Sequence, residues 1–153
     1  MQDFQTLYRA ALKFAAAKHS DQKIPSSDLP YVVHLSNVAM EIIVASQNSN
    51  GFDLNFAIQI SLLHDVLEGT DASASEIAER FGNAVLNGVK ALTKDKSQKN
   101  PIADSLNRIK SQPKEVWAVK LADWITNLQR PPQHWDSDKI SLYYGQAKEI
   151  LLA

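Results

Sequence analysis

A histidine and an aspartate stand side by side at His64-Asp65, with Glu68 one helical turn beyond the histidine. Residues four apart on a helix share a face, so His64 and Glu68 can point into one cavity. Ile58, Ile60, Leu62 and Leu63 just upstream read as a buried helix. Ionisable groups at the end of such a helix are costly unless something pairs with them, and a metal ion would. The chain has no cysteine, so its ligands must be nitrogen and oxygen. His34 and Asp123 are the candidates elsewhere in the chain, each an ionisable residue inside an apolar helical pattern. Two imidazoles and two carboxylates suit Mn²⁺, Fe²⁺, Zn²⁺ or Mg²⁺. Neighbours on a regular helix point about 100° apart, so His64 and Asp65 reach one ion only near a helix end, which the Glu68-Gly69-Thr70 stretch supplies. Glu68 can orient or deprotonate a water there. Asn127, four residues after Asp123, shares its face and can hold the carboxylate, a water or a substrate group.

The elements that must position these residues read as helices throughout. Phe4, Leu7, Tyr8, Ala11, Leu12 and Ala15 keep helical spacing from about Asp3 to Lys18 or His19. A polar loop follows, and Ser27 or Asp28 is expected to cap a second helix that carries His34 and runs to about Gln47. Its β-branched runs, Val32-Val33 and Ile42-Ile43-Val44, sit among helical neighbours and are read as helix. Asp53 caps a helix expected to continue through Leu67. Ser73 to Glu76 is a capping-box pattern opening a short helix that stops at Phe81-Gly82. Asn83 opens a helix to Leu92; Asn100-Pro101 opens another to about Ser111; Pro113 opens the helix bearing Asp123 and Asn127. Pro131-Pro132 ends that region, and Ser137 is expected to cap a last helix. No segment alternates with period two, so the expectation is one all-α domain over residues 1–153.

Composition narrows the function. At 153 residues and a formal net charge of −1, the whole-molecule field does not steer the chain onto nucleic acid. No apolar run is long enough to span a membrane, and the N-terminus has no signal-peptide pattern, which makes the cytoplasm the default compartment. No glycine-rich phosphate loop is present, so phosphate must be held by metal and cations. Lys94, Lys96 and Lys99 form a basic cluster that can receive phosphates or simply face solvent, and Arg130 can also reach phosphate. Lys110, Lys114 and Lys120 are spread out and read as surface; His134 reads as surface rather than as an extra ligand. Trp117, Trp124 and Trp135 can stack on a base but are more often core or partner-facing residues, and Trp124, beside Asp123, is the one to watch.

The order His34, His64-Asp65, Asp123 resembles the ligand series of the HD-domain metal-dependent phosphohydrolases. Pro30-Tyr31-Val32-Val33-His34, Leu62 to Glu68, Phe81-Gly82, Leu92 to Lys96, and Lys120 to Asp123 with Asn127-Leu128 are similar to the hydrolase domain of Rel/Spo proteins and its stand-alone form, the small alarmone hydrolase. The resemblance implies an all-α HD-domain bundle and Mn²⁺ held by His34, His64, Asp65 and Asp123. It implies release of the 3′-diphosphate from guanosine tetra- or pentaphosphate, with Glu68 acting on the water and Asn127 near substrate. It further implies that Tyr143 and Lys23 flank the nucleotide, with Lys94 and Lys96 on its phosphates. The only partner implied is this small-molecule nucleotide, and a homo-oligomer is compatible with the sequence. Two positions depart from the family pattern. Gly69 stands where a second acid is usual, leaving Glu68 alone or Asp71 as a substitute, and an early Arg-Lys pair is reduced to Lys23 before Ile24-Pro25. These leave two other readings open: another nucleotide, such as an adenosine alarmone or a deoxynucleotide, or a non-catalytic nucleotide sensor.

Overall fold

A computed structural model describes residues 2–129 and 133–152. They form nine helices: α1 (Phe4–Lys18), α2 (Val32–Gln47), α3 (Leu54–Leu63), α4 (Val66–Gly69), α5 (Ala74–Phe81), α6 (Asn83–Leu92), α7 (Pro101–Ile109), α8 (Lys114–Leu128) and α9 (Ser137–Leu152). The only β pairing among the described residues is an isolated bridge between Lys23 and Pro30, so the β-branched runs of α2 are helical as expected.

The central element is α3. Every residue from Ala57 to Leu63 is buried, and a helix apolar on all sides must be surrounded. Helices α1, α2, α6 and α8 surround it, and α2 also packs on α8. Leu35, Val38 and Ile42 from α2, Ile58, Ile60 and Leu62 from α3, and Val116 and Val119 from α8 are fully enclosed between them. A smaller cluster joins α7, α8 and α9 through Ile102, Leu106, Trp124, Ala147 and Ile150. Trp124 belongs to this cluster, stacked on Tyr143 at 4.2 Å between ring centroids, and so is a packing residue.

Local chemistry sets most helix starts. Asp53 accepts from the Phe56 amide at 2.9 Å, Asn100 accepts from Ala103 at 3.1 Å, and Ser73 and Glu76 complete their capping box. Gly82, at φ +88° and ψ 163°, joins α5 directly to α6 in backbone that a side chain would strain.

Three boundaries differ from the sequence expectation. Neither Ser27 nor Asp28 caps α2, which starts after Tyr31 with no side-chain cap. Ser27 instead accepts from the Leu29 amide, and Asp28 pairs with Lys23, so both are spent inside the loop. Asp136, not Ser137, accepts from an amide of α9, that of Lys139 at 2.8 Å. The helix begun at Asp53 does not run through Leu67. It stops at Leu63, and α4 restarts at Val66 after Asp65 takes φ −103°, ψ −2°. Pro131-Pro132 and Arg130 lie outside the described residues.

The contact of α6 with α3 and α8 depends on Gly88. A Cβ there would lie 3.1 Å from Ile60 Cγ2 and 3.4 Å from Phe56 Cζ and Val116 Cγ2. Ile60 and Val116 are fully buried and β-branched, so neither can retreat. Gly88→Ala gains about 1 kcal/mol of helix propensity but overpacks the core at about 1–3 kcal/mol. We expect a net loss of about 1 kcal/mol in urea denaturation; a more stable variant would show that α6 slides freely on α3.

Candidate metal centre and its two cavities

The interruption between α3 and α4 turns His64 and Asp65 toward the same point. Their nearest atoms, His64 Nε2 and Asp65 Oδ2, are 3.2 Å apart. His34 arrives from the first turn of α2 and Asp123 from the third turn of α8. His34 Nε2 lies 3.0 Å from Asp123 Oδ1, and His64 Nε2 lies 3.5 Å from the same oxygen. One ligand atom each from His34, His64 and Asp65 falls within 4.8 Å of the others. Octahedral ligands at about 2.1 Å from a divalent ion lie about 3 Å from one another, the spacing seen among these side chains.

The protonation pattern tests whether a cation fits. His64 Nδ1 lies 2.7 Å from the Ser61 carbonyl oxygen, which only accepts, so Nδ1 carries the hydrogen. Nε2 is then a lone pair, buried without a hydrogen-bond partner and facing two carboxylates. A lone pair against two anions is repulsive until a positive charge stands between them. A proton or a metal ion satisfies that demand, and the outward Nδ1–H to a carbonyl is the arrangement that fixes metal-bound imidazoles.

Electrostatics agree. Burial alone would lower the His64 imidazole, but the carboxylates of Asp65 and Asp123 reverse the sign and hold it well above its ordinary 6.5. Burial pushes Asp65 up, while His64 and the Tyr31 hydroxyl pull it down to about 2. Asp123 likewise lies below the usual carboxylate range; burial opposes this, and His34 and His64 outweigh it. Outer groups hold the set in place. Tyr31 donates its hydroxyl to Asp65, and Asn127 Nδ2 donates to Asp123 Oδ1 at 3.1 Å. Burial, then Asp65, raises the Tyr31 phenol, which keeps it a donor.

These side chains border two spaces. His34 lines a cleft of about 520 Å³ together with Asn127, Tyr143 and Trp135, and Ile24, Pro25, Leu29 and Val33 form its apolar wall. His64, Asp65 and Asp123 line a chamber of about 30 Å³ together with Glu68, Lys94 and Lys120. That is room for about one water molecule. Glu68 is fixed there because Oε1 accepts from the backbone amide of Lys94 at 2.9 Å.

The structure thus brings together His34, His64, Asp65, Asp123, Glu68, Asn127 and Lys94, and sets Tyr143 across the cleft. It does not bring in Lys96, which lies on the exposed loop, or Lys23, whose ammonium pairs with Asp28 at 3.2 Å and is largely exposed. His134 bonds to Ser26 on the surface and is no ligand. Asp71 does not replace a second acid at position 69. It is 89% exposed and pairs with Lys18. The space beside Gly69 is held by the buried His19 and by Gln22, whose Oε1 lies 2.7 Å from His19 Nδ1. Sequence reasoning missed two site residues. Tyr31 was visible only as part of a motif. Lys120 read as surface but is 4% exposed, because α8 is covered on that side by the site itself.

The pH dependence of the metal-free protein follows from His64. A group whose folded pKa is raised stabilises fully below its unfolded value of 6.5 and loses that contribution as pH rises through the folded value. Chelator-treated protein is therefore expected to lose melting temperature from pH 6.5 upward. Added Mn²⁺ should cancel the loss, since ligands bind deprotonated. A melting temperature of the stripped protein that stays flat over that range would remove the proton from His64.

No family model matches the chain. Individual relatives do. A guanosine-3′,5′-bis(diphosphate) 3′-pyrophosphohydrolase, MESH1, from Drosophila melanogaster is 31% identical over 94% of this chain and 82% of its own length. A guanosine-3′,5′-bis(diphosphate) 3′-pyrophosphohydrolase from Aquifex aeolicus is 32% identical over 78% of this chain, a match that occupies 17% of the longer protein. Among solved structures, a metazoan ortholog of SpoT that hydrolyzes ppGpp superposes with a TM-score of 0.81 at 27% identity, covering 95% of this chain and 83% of that one. With this identity and coverage, the chain belongs to the family of guanosine-3′,5′-bis(diphosphate) 3′-pyrophosphohydrolases.

Proposed function

We propose that this chain is a metal-dependent hydrolase that removes the 3′-diphosphate from guanosine tetra- or pentaphosphate, giving GDP or GTP and pyrophosphate. The observation that carries this reading is the placement of the four candidate ligands on two cavities, His34 on the cleft and His64, Asp65 and Asp123 on the chamber. Phosphoryl transfer needs the attacking and leaving oxygens in line through phosphorus. The cleft has the size and the aromatic rim for a nucleoside, and the chamber has room for the water. On this reading the nucleoside occupies the cleft, its 3′-diphosphate reaches the candidate ligands, and the water stands in the chamber.

The four side chains would hold Mn²⁺, which when bound lowers the pKa of water and polarises a phosphoryl oxygen. Glu68, held by the Lys94 amide, takes the proton from the water in the chamber. The water oxygen bonds to the phosphorus next to the ribose, and the bond from that phosphorus to the 3′-oxygen breaks. The 3′-oxygen leaves with the electron pair and takes a proton from solvent water in the cleft. Asn127, already on Asp123, keeps that carboxylate against His34 and His64. Tyr143 and Trp135 line the cleft for the base. Lys94 neutralises phosphate charge from the chamber side. No helix among the described residues is long and apolar enough to cross a membrane, and the proposed compartment is the cytoplasm.

A second substrate reading has one observation in its favour. The cleft wall of Ile24, Pro25, Leu29 and Val33 is uncharged, and Lys23 beside it turns to Asp28. A nucleotide with fewer 5′-phosphates would suit it. A panel of 3′-diphosphorylated nucleotides differing in base and in 5′-phosphate number separates the two.

The direct test is pyrophosphate release from guanosine tetraphosphate by chelated protein reloaded with Mn²⁺. Release that depends on metal and yields GDP supports the reading; metal-bound protein that releases none refutes it. Glu68→Gln is expected to retain metal and to lose about 10²- to 10⁴-fold in kcat. His64→Ala and Asp123→Ala are expected to lose metal and activity together, because each removes a ligand. Full metal occupancy in either would reassign the centre.

A further inference from the structure

The chamber contains a cation with no assigned purpose. Lys120 is 4% exposed and lines the same small space as Glu68, Asp65 and Asp123. The ion pairs of the centre run among His34, His64, Asp65 and Asp123 and leave Lys120 out. Its nearest aromatic neighbour is Trp124, with Nζ 5.9 Å from the ring centroid. A buried ammonium without a paired carboxylate is expensive, and an apolar side chain of similar volume would be better for stability. Surface solubility cannot account for it at this exposure. Packing alone would be served by methionine.

Lys120 lines the water-sized space beside the carboxylates of Glu68, Asp65 and Asp123, none of them paired with it. Lysine has three N–H donors and no acceptor, and the acceptor that this chamber can admit is the oxygen of one water molecule. The geometry points to Lys120 as a further catalytic residue of the proposed reaction: its ammonium donates to the oxygen of the attacking water on the side opposite Glu68. The water then gives its proton to Glu68 while Lys120 stabilises the negative charge left on oxygen, and the charge is relieved as that oxygen bonds to phosphorus. Fixed donors aimed where charge develops are worth most in such an enclosed site. The assignment rests on the hydrolase reading for its substrate, but the chamber chemistry can be tested apart from turnover.

The experiment compares wild type with Lys120→Met, both loaded with Mn²⁺, and uses fluoride as a small anion that accepts where hydroxide would. Metal content, melting temperature, fluoride response and kinetics are read on the same preparations. The expected result is full metal content and a melting temperature no lower than wild type. The fluoride-induced rise in melting temperature should be lost, KM should stay within about threefold, and kcat should fall about 10²-fold. Lys120→Gln, which keeps a neutral N–H donor, is expected to recover part of both losses, and it carries the test if the methionine variant does not fold. Fluoride response retained in the variant, kcat within about threefold of wild type, or a melting temperature several degrees lower would each overturn the assignment, the last by making Lys120 structural. If wild type turns over no alarmone, the substrate reading fails while the fluoride comparison still decides the role of Lys120.

Discussion

A single lone pair governs the centre of this protein. His64 Nε2 is buried without a hydrogen-bond partner, with Asp65 at 3.2 Å and Asp123 at 3.5 Å. Its tautomer is fixed from behind by Ser61, so it cannot turn a hydrogen toward the carboxylates unless it becomes a cation. The arrangement therefore demands positive charge. The surroundings hold the two carboxylates against this lone pair: Tyr31 donates to Asp65 Oδ2 and Asn127 to Asp123 Oδ1, the same oxygens that lie against His64. The fold serves this point by burying α3 on all sides, which makes its C-terminal end a fixed place on which α2 and α8 can converge.

The site was legible in the sequence to the extent that its members were out of character with their neighbours. His34, His64 and Asp123 are ionisable residues in apolar helical stretches, and a buried ionisable group needs a partner. Glu68 followed from its spacing to His64. Lys120 was not legible for the opposite reason. It is one of several lysines, and helical periodicity records which face is apolar without recording that a polar face can close on another polar face. Lys23 and Lys96 failed because charge and proximity in sequence do not fix where a long side chain goes: Lys23 is taken by Asp28 five residues away, and Lys96 remains in solvent.

Most of the fold was written in caps and periodicity, since Asp53, Ser73 and Asn100 each terminate a hydrophobic pattern with the residue type that satisfies free amides. The break at His64-Asp65 was not. Leu62, Leu63, Val66 and Leu67 keep helical spacing straight through it, and Val66 is as buried as Leu63. The helix is interrupted there while the apolar pattern is not, because the core lies on both sides of the interruption. Gly69 shows a related effect. Its significance lay in the neighbours His19 and Gln22, brought alongside from a loop some fifty positions earlier.

The tie between Glu68 and position 94 has an evolutionary side. The donor is the main-chain amide of Lys94, which every residue except proline possesses. The side chain at 94 can therefore drift, trading phosphate affinity or changing charge, while the orientation of the carboxylate is inherited unchanged. In the proposed reaction, substrate preference and proton transfer would thus be separable under mutation at position 94.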